Sequence, residues 1–158
     1  MSEVIARALE ARRAGDREGA LALLRRALVE HPDSVELRVL VGGMLRGHAE
    51  SAEAIAILEP TLTQLSSDKH APILAALATS YDRVGRKADA IAACRRAIAI
   101  EGPGVATAQL LALLLGEVGE LQESLALFRW LLPRVKPEGR ETVERAIAKV
   151  EGWMGSRP

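Results

Sequence analysis

Residues 81–97, which read YDRVGRKADAIAACRRA, decide the fold of this 158-residue chain. The segment begins as the end of one helix, turns at Gly85 and continues into a second helix that is rich in alanine. Glycine ends helices well because it adopts the left-handed conformation without a steric penalty. The segment therefore predicts a hairpin of two helices, and most of the chain repeats it.

Five positions of this hairpin recur along the chain with spacings of 34 to 36 residues. The second helices carry small residues at Ala20, Ala54, Ala90 and Ser124. Larger apolar residues follow four positions later, at Leu24, Leu58, Cys94 and Phe128. The turns fall at Gly15, Ala49, Gly85 and Gly119. The first helices match at two further positions, at Ala8, Gly42, Ala78 and Ala112 and at Ala11, Leu45, Tyr81 and Leu115. Agreement at five positions over four copies predicts an internal repeat.

This pattern resembles the tetratricopeptide repeat, whose 34-residue period carries small residues, a tyrosine, a large apolar residue and a proline at fixed positions. The first copy keeps Ala8, Ala20, Leu24, Ala27 and Pro32. The third copy keeps Leu77, Ala78, Tyr81, Ala90 and Ala97. The fourth copy keeps Leu111, Ala112, Gly119 and Phe128, and the second, weakest copy keeps Gly42, Ala54 and Leu58. The resemblance implies an all-α, right-handed α-solenoid of four helix-turn-helix repeats with a C-terminal capping helix.

The resemblance also sets the expected boundaries. One domain covers residues 1–154, with repeats at about 1–34, 35–70, 71–104 and 105–137. A capping helix follows at about 138–153, because the last repeat of a solenoid would otherwise expose an apolar face. Residues 155–158 are expected to form a disordered tail.

Individual residues predict where helices begin and end. Asp16 can cap the helix that follows Gly15, and residues 33–36 are typical of a capping-box variant. Pro60 lies inside a helix predicted at about 50–65, where it removes one backbone hydrogen bond. We therefore expect either a kink at residues 56–60 or an early end of that helix.

Composition argues against several functional classes. The 21 basic and 21 acidic side chains cancel, whereas a nucleic-acid-binding surface needs net positive charge. No apolar run reaches the roughly 18 residues that a membrane span requires, and the N-terminus lacks the pattern of a signal peptide. The single Cys94 cannot form an internal disulfide. We expect a cytoplasmic and, from the Ala/Arg/Gly/Leu-rich composition, bacterial protein with no nucleic-acid or membrane partner.

No catalytic, metal or cofactor site is expected. His31, His48 and His70 fall at helix ends or loops without the spacing of metal ligands, and surface or capping roles are expected for them. Cys94 falls on the core-facing side of its helix, so we interpret it as a small buried hydrophobe. The glycine-containing segments 15–19 and 102–104 follow no strand and lack the Lys-Ser/Thr ending of a phosphate loop. We therefore predict that the protein is not an enzyme.

The resemblance places partner binding on a concave face lined by the first helix of each pair. Residues of these helices that are not needed for hairpin packing form the predicted site: Ile5, Leu9, Arg12, Val39, Leu40, Arg46, Thr79, Asp82, Arg83, Gln109 and Leu113. Family members that clamp a C-terminal carboxylate use Lys and Asn at such positions, and this sequence has neither there. The apolar surface instead suits a peptide or an amphipathic helix. The predicted function is a non-catalytic scaffold or adaptor for a protein partner.

Three alternatives stay open at this stage. The chain could form a homo-dimer, act as a chaperone-like assembly factor, or serve as an accessory or regulatory subunit of an enzyme complex. The pairs Arg25–Arg26 and Arg95–Arg96 occupy equivalent repeat positions and fit either an anion-binding stripe or ordinary solvated charges. Trp130 is expected to contact the capping helix.

Overall fold

The structure is a computed structural model that describes residues 2–45 and 50–156. These residues form nine α-helices and one short 3-10 helix, Ser67–Lys69, and contain no strand. The α-helices are α1 Ser2–Arg13, α2 Arg17–Glu30, α3 Val35–Met44, α4 Ser51–Thr61, α5 Ala71–Arg83, α6 Lys87–Glu101, α7 Val105–Val118, α8 Leu121–Leu131 and α9 Pro137–Gly155. The prediction of an all-α fold is confirmed.

Consecutive helices pack as hairpins, and the hairpins stack in chain order. In the described part of the chain, α1 packs on α2, α3 on α4, α5 on α6 and α7 on α8. Each second helix also packs on the first helix of the next pair, and α9 packs on α8. α3 additionally contacts α5, so the first helices of the second and third pairs lie side by side. This succession is an α-solenoid; its repeat boundaries stay a prediction.

Glycines form the corners within the hairpins, as the sequence predicts. Gly15, Gly85 and Gly119 have φ angles of 88°, 81° and 86°, in the left-handed region where a Cβ is disfavoured. Past the first corner, the amide of Asp16 donates to the carbonyl of Ala11 at 2.9 Å, the long-range bond that typically closes a helix C-terminus. The Asp16 carboxylate then accepts from the Gly19 amide at 2.8 Å, which confirms it as the cap of α2. The corresponding Ala49 lies outside the described residues.

Two helix ends refine the expectations from sequence. The cap of α3 is Ser34 rather than Asp33, because the Ser34 hydroxyl accepts from the Leu37 amide at 3.4 Å. α4 ends at Thr61, which confirms the early end expected from Pro60. Past the proline, the amides of residues 62–64 donate to carbonyls only three positions back, in tighter turns than an α-helix.

The core is aliphatic and depends on small residues where the helices of a pair meet. Ala8, Ala20, Ala78, Ala90 and Ala112 are fully buried. Cys94 is also fully buried, and this burial raises the pKa of its thiol to about 11. The interpretation of Cys94 as a packing residue is therefore confirmed.

Both ends of the helical stack present charged side chains. Glu3 and Arg7 on α1 are exposed, whereas Ile73 and Leu77 at the equivalent positions of α5 are buried under the preceding hairpin. At the other end, α9 buries Val143 and Val150 and exposes the charged residues Glu141, Glu144, Arg145 and Lys149. α9 extends to Gly155, slightly beyond the predicted end near residue 153. Of the predicted tail, Arg157 and Pro158 lie outside the described residues. None of the described helices combines the length and the apolar character that crossing a membrane demands.

Candidate partner-binding groove

The face shared by the first helices carries an open groove of 440 Å³, which we call the first-helix groove. It lies between α3, α5 and α7 and is lined by Gly42, Gly43, Leu45, Pro72, Ala75, Ala76, Thr79, Ser80, Arg83 and Ala106. Eight of these ten residues are Gly, Ala, Ser, Thr or Pro. The groove therefore exists because the first helices of three successive pairs turn small side chains toward the same space.

Apart from the Arg83 guanidinium, the surface of this groove offers few hydrogen-bond donors. The Thr79 hydroxyl donates to the Ala75 carbonyl at 3.2 Å, and the Ser80 hydroxyl donates to the Ala76 carbonyl at 3.1 Å. Each hydroxyl has one proton, and both protons are used within α5. Gly43 faces open space, since a Cβ built on it would meet no atom within 4 Å. The groove is thus largely apolar and open, so a partner's backbone or side chains can enter it.

Two of the predicted site residues, Thr79 and Arg83, line the first-helix groove. Asp82 is half-buried on the same turn of α5. Val39 and Leu40 on α3 are half-buried, and they pack against the two apolar clusters on either side of that helix.

The remaining predicted residues lie elsewhere. Ile5 is 8% exposed and belongs to the core of α1–α4, so its burial takes it off the surface that a partner could contact. Leu9 packs half-buried against the same core, and Arg12 is exposed. On α7, Gln109 is half-buried and Leu113 is 47% exposed, and neither lines the groove. Arg46 lies outside the described residues.

Most of the groove was not predicted from the sequence because its residues are small. The lining residues Gly42, Gly43, Ala76, Ser80 and Ala106 are of types that usually serve helix packing, so the sequence gives no reason to assign them to a binding surface. A signal was nevertheless present in α5. Pro72, Ala76, Thr79 and Arg83 follow one another at three- and four-residue steps, the spacing of one helix face.

Comparison with known proteins rests on three-dimensional structure, because no protein-family model and no curated protein matches the sequence. A crystal structure of a tetratricopeptide repeat protein from Parabacteroides merdae ATCC 43184 is similar with a TM-score of 0.74 and 18% identity, over 96% of this chain and 60% of that one. The TPR-like repeats of a putative kinesin light chain from Podosopora anserina give a TM-score of 0.74 at 16% identity, over 99% and 87%. This chain has the tetratricopeptide-repeat fold.

A crystal structure of MamA protein is also similar, with a TM-score of 0.78 and 21% identity, over 98% of this chain and 85% of that one. The resemblance inferred from the sequence is thereby confirmed at the level of the fold.

On the outer side of the tetratricopeptide fold, repeated arginines join neighbouring second helices. Arg25 pairs with Glu53 at 2.5 Å, and Arg95 pairs with Glu123 at 2.5 Å. These glutamates occupy equivalent positions on α4 and α8. The arrangement favours a structural role for the two arginines over an anion-binding stripe. Arg26 pairs with Glu30 at 3.5 Å within α2.

The junction between the second and third hairpins joins its second helices through a different set of charged side chains. Glu59 replaces the arginine there and lies opposite Asp89, so two acids meet. Arg86 pairs with both, at 3.3 Å from Glu59 and 2.6 Å from Asp89. The Tyr81 hydroxyl donates to Glu59 at 2.7 Å, and the Arg86 guanidinium lies 4.4 Å from the centre of the Tyr81 ring. Burial and the Glu59 carboxylate raise the pKa of Tyr81 to about 12.

The tryptophans have different surroundings. Trp130 is half-buried against a cluster built by α7, α8 and α9, and the Arg134 guanidinium lies 4.3 Å from its ring centre; its contact with the last helix stays a prediction. Trp153 is 40% exposed, and the Lys149 ammonium lies 4.8 Å from its ring centre.

The histidines do not form a metal site within residues 2–45 and 50–156, where no cluster of three metal-ligating side chains occurs. His31 is exposed, as expected. His70 is buried rather than on the surface, and its Nε2 lies 3.0 Å from the Leu65 carbonyl. His48 lies outside the described residues.

Proposed function

We propose that this chain is a non-catalytic interaction scaffold that holds an apolar or amphipathic segment of a protein partner in the first-helix groove. The observation that carries the proposal is the 440 Å³ groove formed by small residues from the first helices of three successive pairs. Burial of apolar surface stabilises such a complex by about 25 cal/mol per Å² before the entropic cost of association is subtracted.

The groove favours an amphipathic helix with a polar outer face. Its small, donor-poor lining accepts the apolar face of a helix, which is a recurrent mode of peptide recognition. Asp82 and Arg83 place one charge of each sign at the same turn of α5, beside the groove. The polar edge of a bound helix would meet these charges. A fold by itself does not define a function, so the proposal depends on the groove and not on the tetratricopeptide architecture.

The test fills the groove without disturbing the fold. Gly43 lies in α3 at an ordinary helical φ and faces open space, so Gly43→Trp puts an indole into the groove. Gly152 in α9 has the same surroundings, helical backbone and open space, but lies away from the groove. Gly152→Trp is therefore the matched control. Both changes replace a glycine inside a helix. Glycine at such a position is itself less favourable than alanine by up to about 1 kcal/mol.

The measurement has two stages. Partners captured from the native lysate by the immobilised wild-type protein are identified by mass spectrometry, and the captured segment is then titrated calorimetrically. We expect Gly43→Trp to weaken binding at least about tenfold, or 1.4 kcal/mol, while Gly152→Trp binds like the wild type. Equal binding by Gly43→Trp would place the site outside the groove. The identity of the partner then decides between an adaptor, a chaperone-like factor and a subunit of an enzyme complex.

A further inference from the structure

Two equivalent junctions of the solenoid differ in how their outer surface is filled. Between the second and third hairpins, Arg86 stacks on Tyr81 and bonds to Glu59, so these side chains cover the surface between α4 and α6. At the next junction, between the third and fourth hairpins, Leu115 occupies the repeat position of Tyr81 and Glu120 occupies that of Arg86, each 34 residues further along the chain. Leucine is smaller than tyrosine, and glutamate cannot stack in the same way. The outer surface of the junction between the third and fourth hairpins is therefore left open.

The opening is a groove of 380 Å³ between α6 and the turn that joins α7 to α8, which we call the turn groove. Ala88, Ile91 and Ala92 of α6 form one wall, and Val118 and Glu120 form the other. Val118 is 49% exposed, although its side chain is apolar. This groove lies on a different surface from the first-helix groove and shares no lining residue with it.

The two walls of the turn groove carry opposite charges. Lys87, Arg95 and Arg96 lie on the α6 side, and the acidic Asp89 of the same helix is paired with Arg86. Glu117, Glu120 and Glu123 lie on the opposite side. Two ion pairs, Lys87–Glu117 and Arg95–Glu123, join α6 to that opposite side. Arg96 and Glu120 are exposed, and neither side chain forms an ion pair within residues 2–45 and 50–156.

We propose that the turn groove is a two-fold interface between two copies of this chain. A partner with one sign of charge would meet like charge along one wall. A second copy related by a two-fold axis that runs along the groove instead places each basic wall over the other copy's acidic wall. Arg96 then faces Glu120 of the other copy, twice, and the exposed Val118 side chains enter the apolar space beside Ala88 and Ala92. Charge complementarity of this kind orients an interface and suppresses wrong partners.

The test uses charge reversal and mixing, with the full chain in analytical ultracentrifugation. The wild type is expected to sediment as a dimer at about 100 µM, a concentration that populates any dimer with a micromolar Kd. Glu120→Arg and Arg96→Glu should each weaken the dimer about tenfold or more, because each brings like charges together at two symmetric places. An equimolar mixture of the two variants should recover the dimer, since each altered position then faces an opposite charge on the other chain.

Two further variants make the result decisive. Val118→Glu changes a half-exposed side chain, so the chain should keep its helical circular dichroism while the dimer is lost. Gly43→Trp, in the first-helix groove, should dimerise like the wild type. A monomeric wild type, or a dimer that the charge reversals and Val118→Glu leave unchanged, would overturn the proposal. Failure here leaves the proposed partner-binding groove unaffected, because that groove has its own variant and control.

Discussion

Gly42 and Gly43 are neighbours on α3, and the structure predicts opposite effects for the same substitution. Neither has a positive φ, so alanine fits the backbone and should gain up to about 1 kcal/mol of helix propensity at either position. At Gly43 the new methyl group meets no atom within 4 Å. At Gly42 it would lie 2.5 Å from Cγ of Leu58, 2.6 Å from Cδ2 and 2.9 Å from Cδ1.

Leu58 cannot easily move away, because it is 1% exposed and packed in the core. Overpacking of this kind costs about 1–3 kcal/mol. Subtracting the propensity gain, we expect Gly42→Ala to lower the free energy of unfolding by up to about 2 kcal/mol. Gly43→Ala should raise it by up to about 1 kcal/mol. The two variants should therefore differ by roughly 1–3 kcal/mol, or about 2–12 °C in Tm for a chain of this size.

The assay is urea unfolding followed by circular dichroism, with Gly43→Ala as the matched control. A double-mutant cycle with Leu58→Ala identifies the contact. Leu58→Ala alone should cost about 2–5 kcal/mol, and it should cost less in the Gly42→Ala background because the added methyl group then occupies part of the cavity. If Gly42→Ala is as stable as Gly43→Ala, or if the cycle shows no coupling, the explanation of Gly42 by close approach to Leu58 is wrong.

Two further predictions concern ionisation. Tyr81 is the chain's single tyrosine, so its phenol absorbance should titrate near pH 12; in Glu59→Gln the midpoint should fall because the accepting carboxylate is removed, but it should stay above 10 because burial, the largest cause of the raised pKa, remains. Since the folded pKa is raised, the corresponding stability is present below pH 10 and is lost as the pH rises toward 12; a wild-type midpoint near 10 would contradict the burial of Tyr81, and an unchanged midpoint in Glu59→Gln would contradict the Tyr81–Glu59 contact. Cys94, with a thiol pKa of about 11 and no exposure, should react slowly with a thiol reagent at pH 8 in the native protein and rapidly in denaturant. Fast reaction of the native protein would show that the core around Cys94 opens.

The candidate groove was partly predictable. Thr79 and Arg83 were identified because they lie on the exposed side of a first helix, and the structure places both in the groove. Ile5 was assigned to the same face by repeat position, yet the way α1 packs on its neighbours buries it. Repeat position gives the direction of a side chain on its own helix, whereas its exposure depends on how closely the next hairpin approaches.

The charged residues on the outer surface were likewise only partly predictable from the sequence. The equivalence of Arg25 and Arg95 is visible in the sequence, but their partners Glu53 and Glu123 lie 28 residues away. A pairing over that distance requires the stacking of one hairpin on the next. The open turn groove also depends on that stacking, because Leu115 and Glu120 leave space only where α6 meets the turn between α7 and α8.

The sequence by itself determined the helical hairpins, their corners at Gly15, Gly85 and Gly119, the cap at Asp16 and a break in regular helix at Pro60. These features depend on hydrogen bonds and sterics within about five residues along the chain, and a local pattern contains that information. The tertiary structure alone decided that a side chain at position 42 would meet Leu58, that small residues of three helices form the first-helix groove, and that residues 81–97 build a filled junction while their repeat 34 residues on builds an open one. Those outcomes depend on distances between hairpins, which side-chain volumes at several distant positions set together.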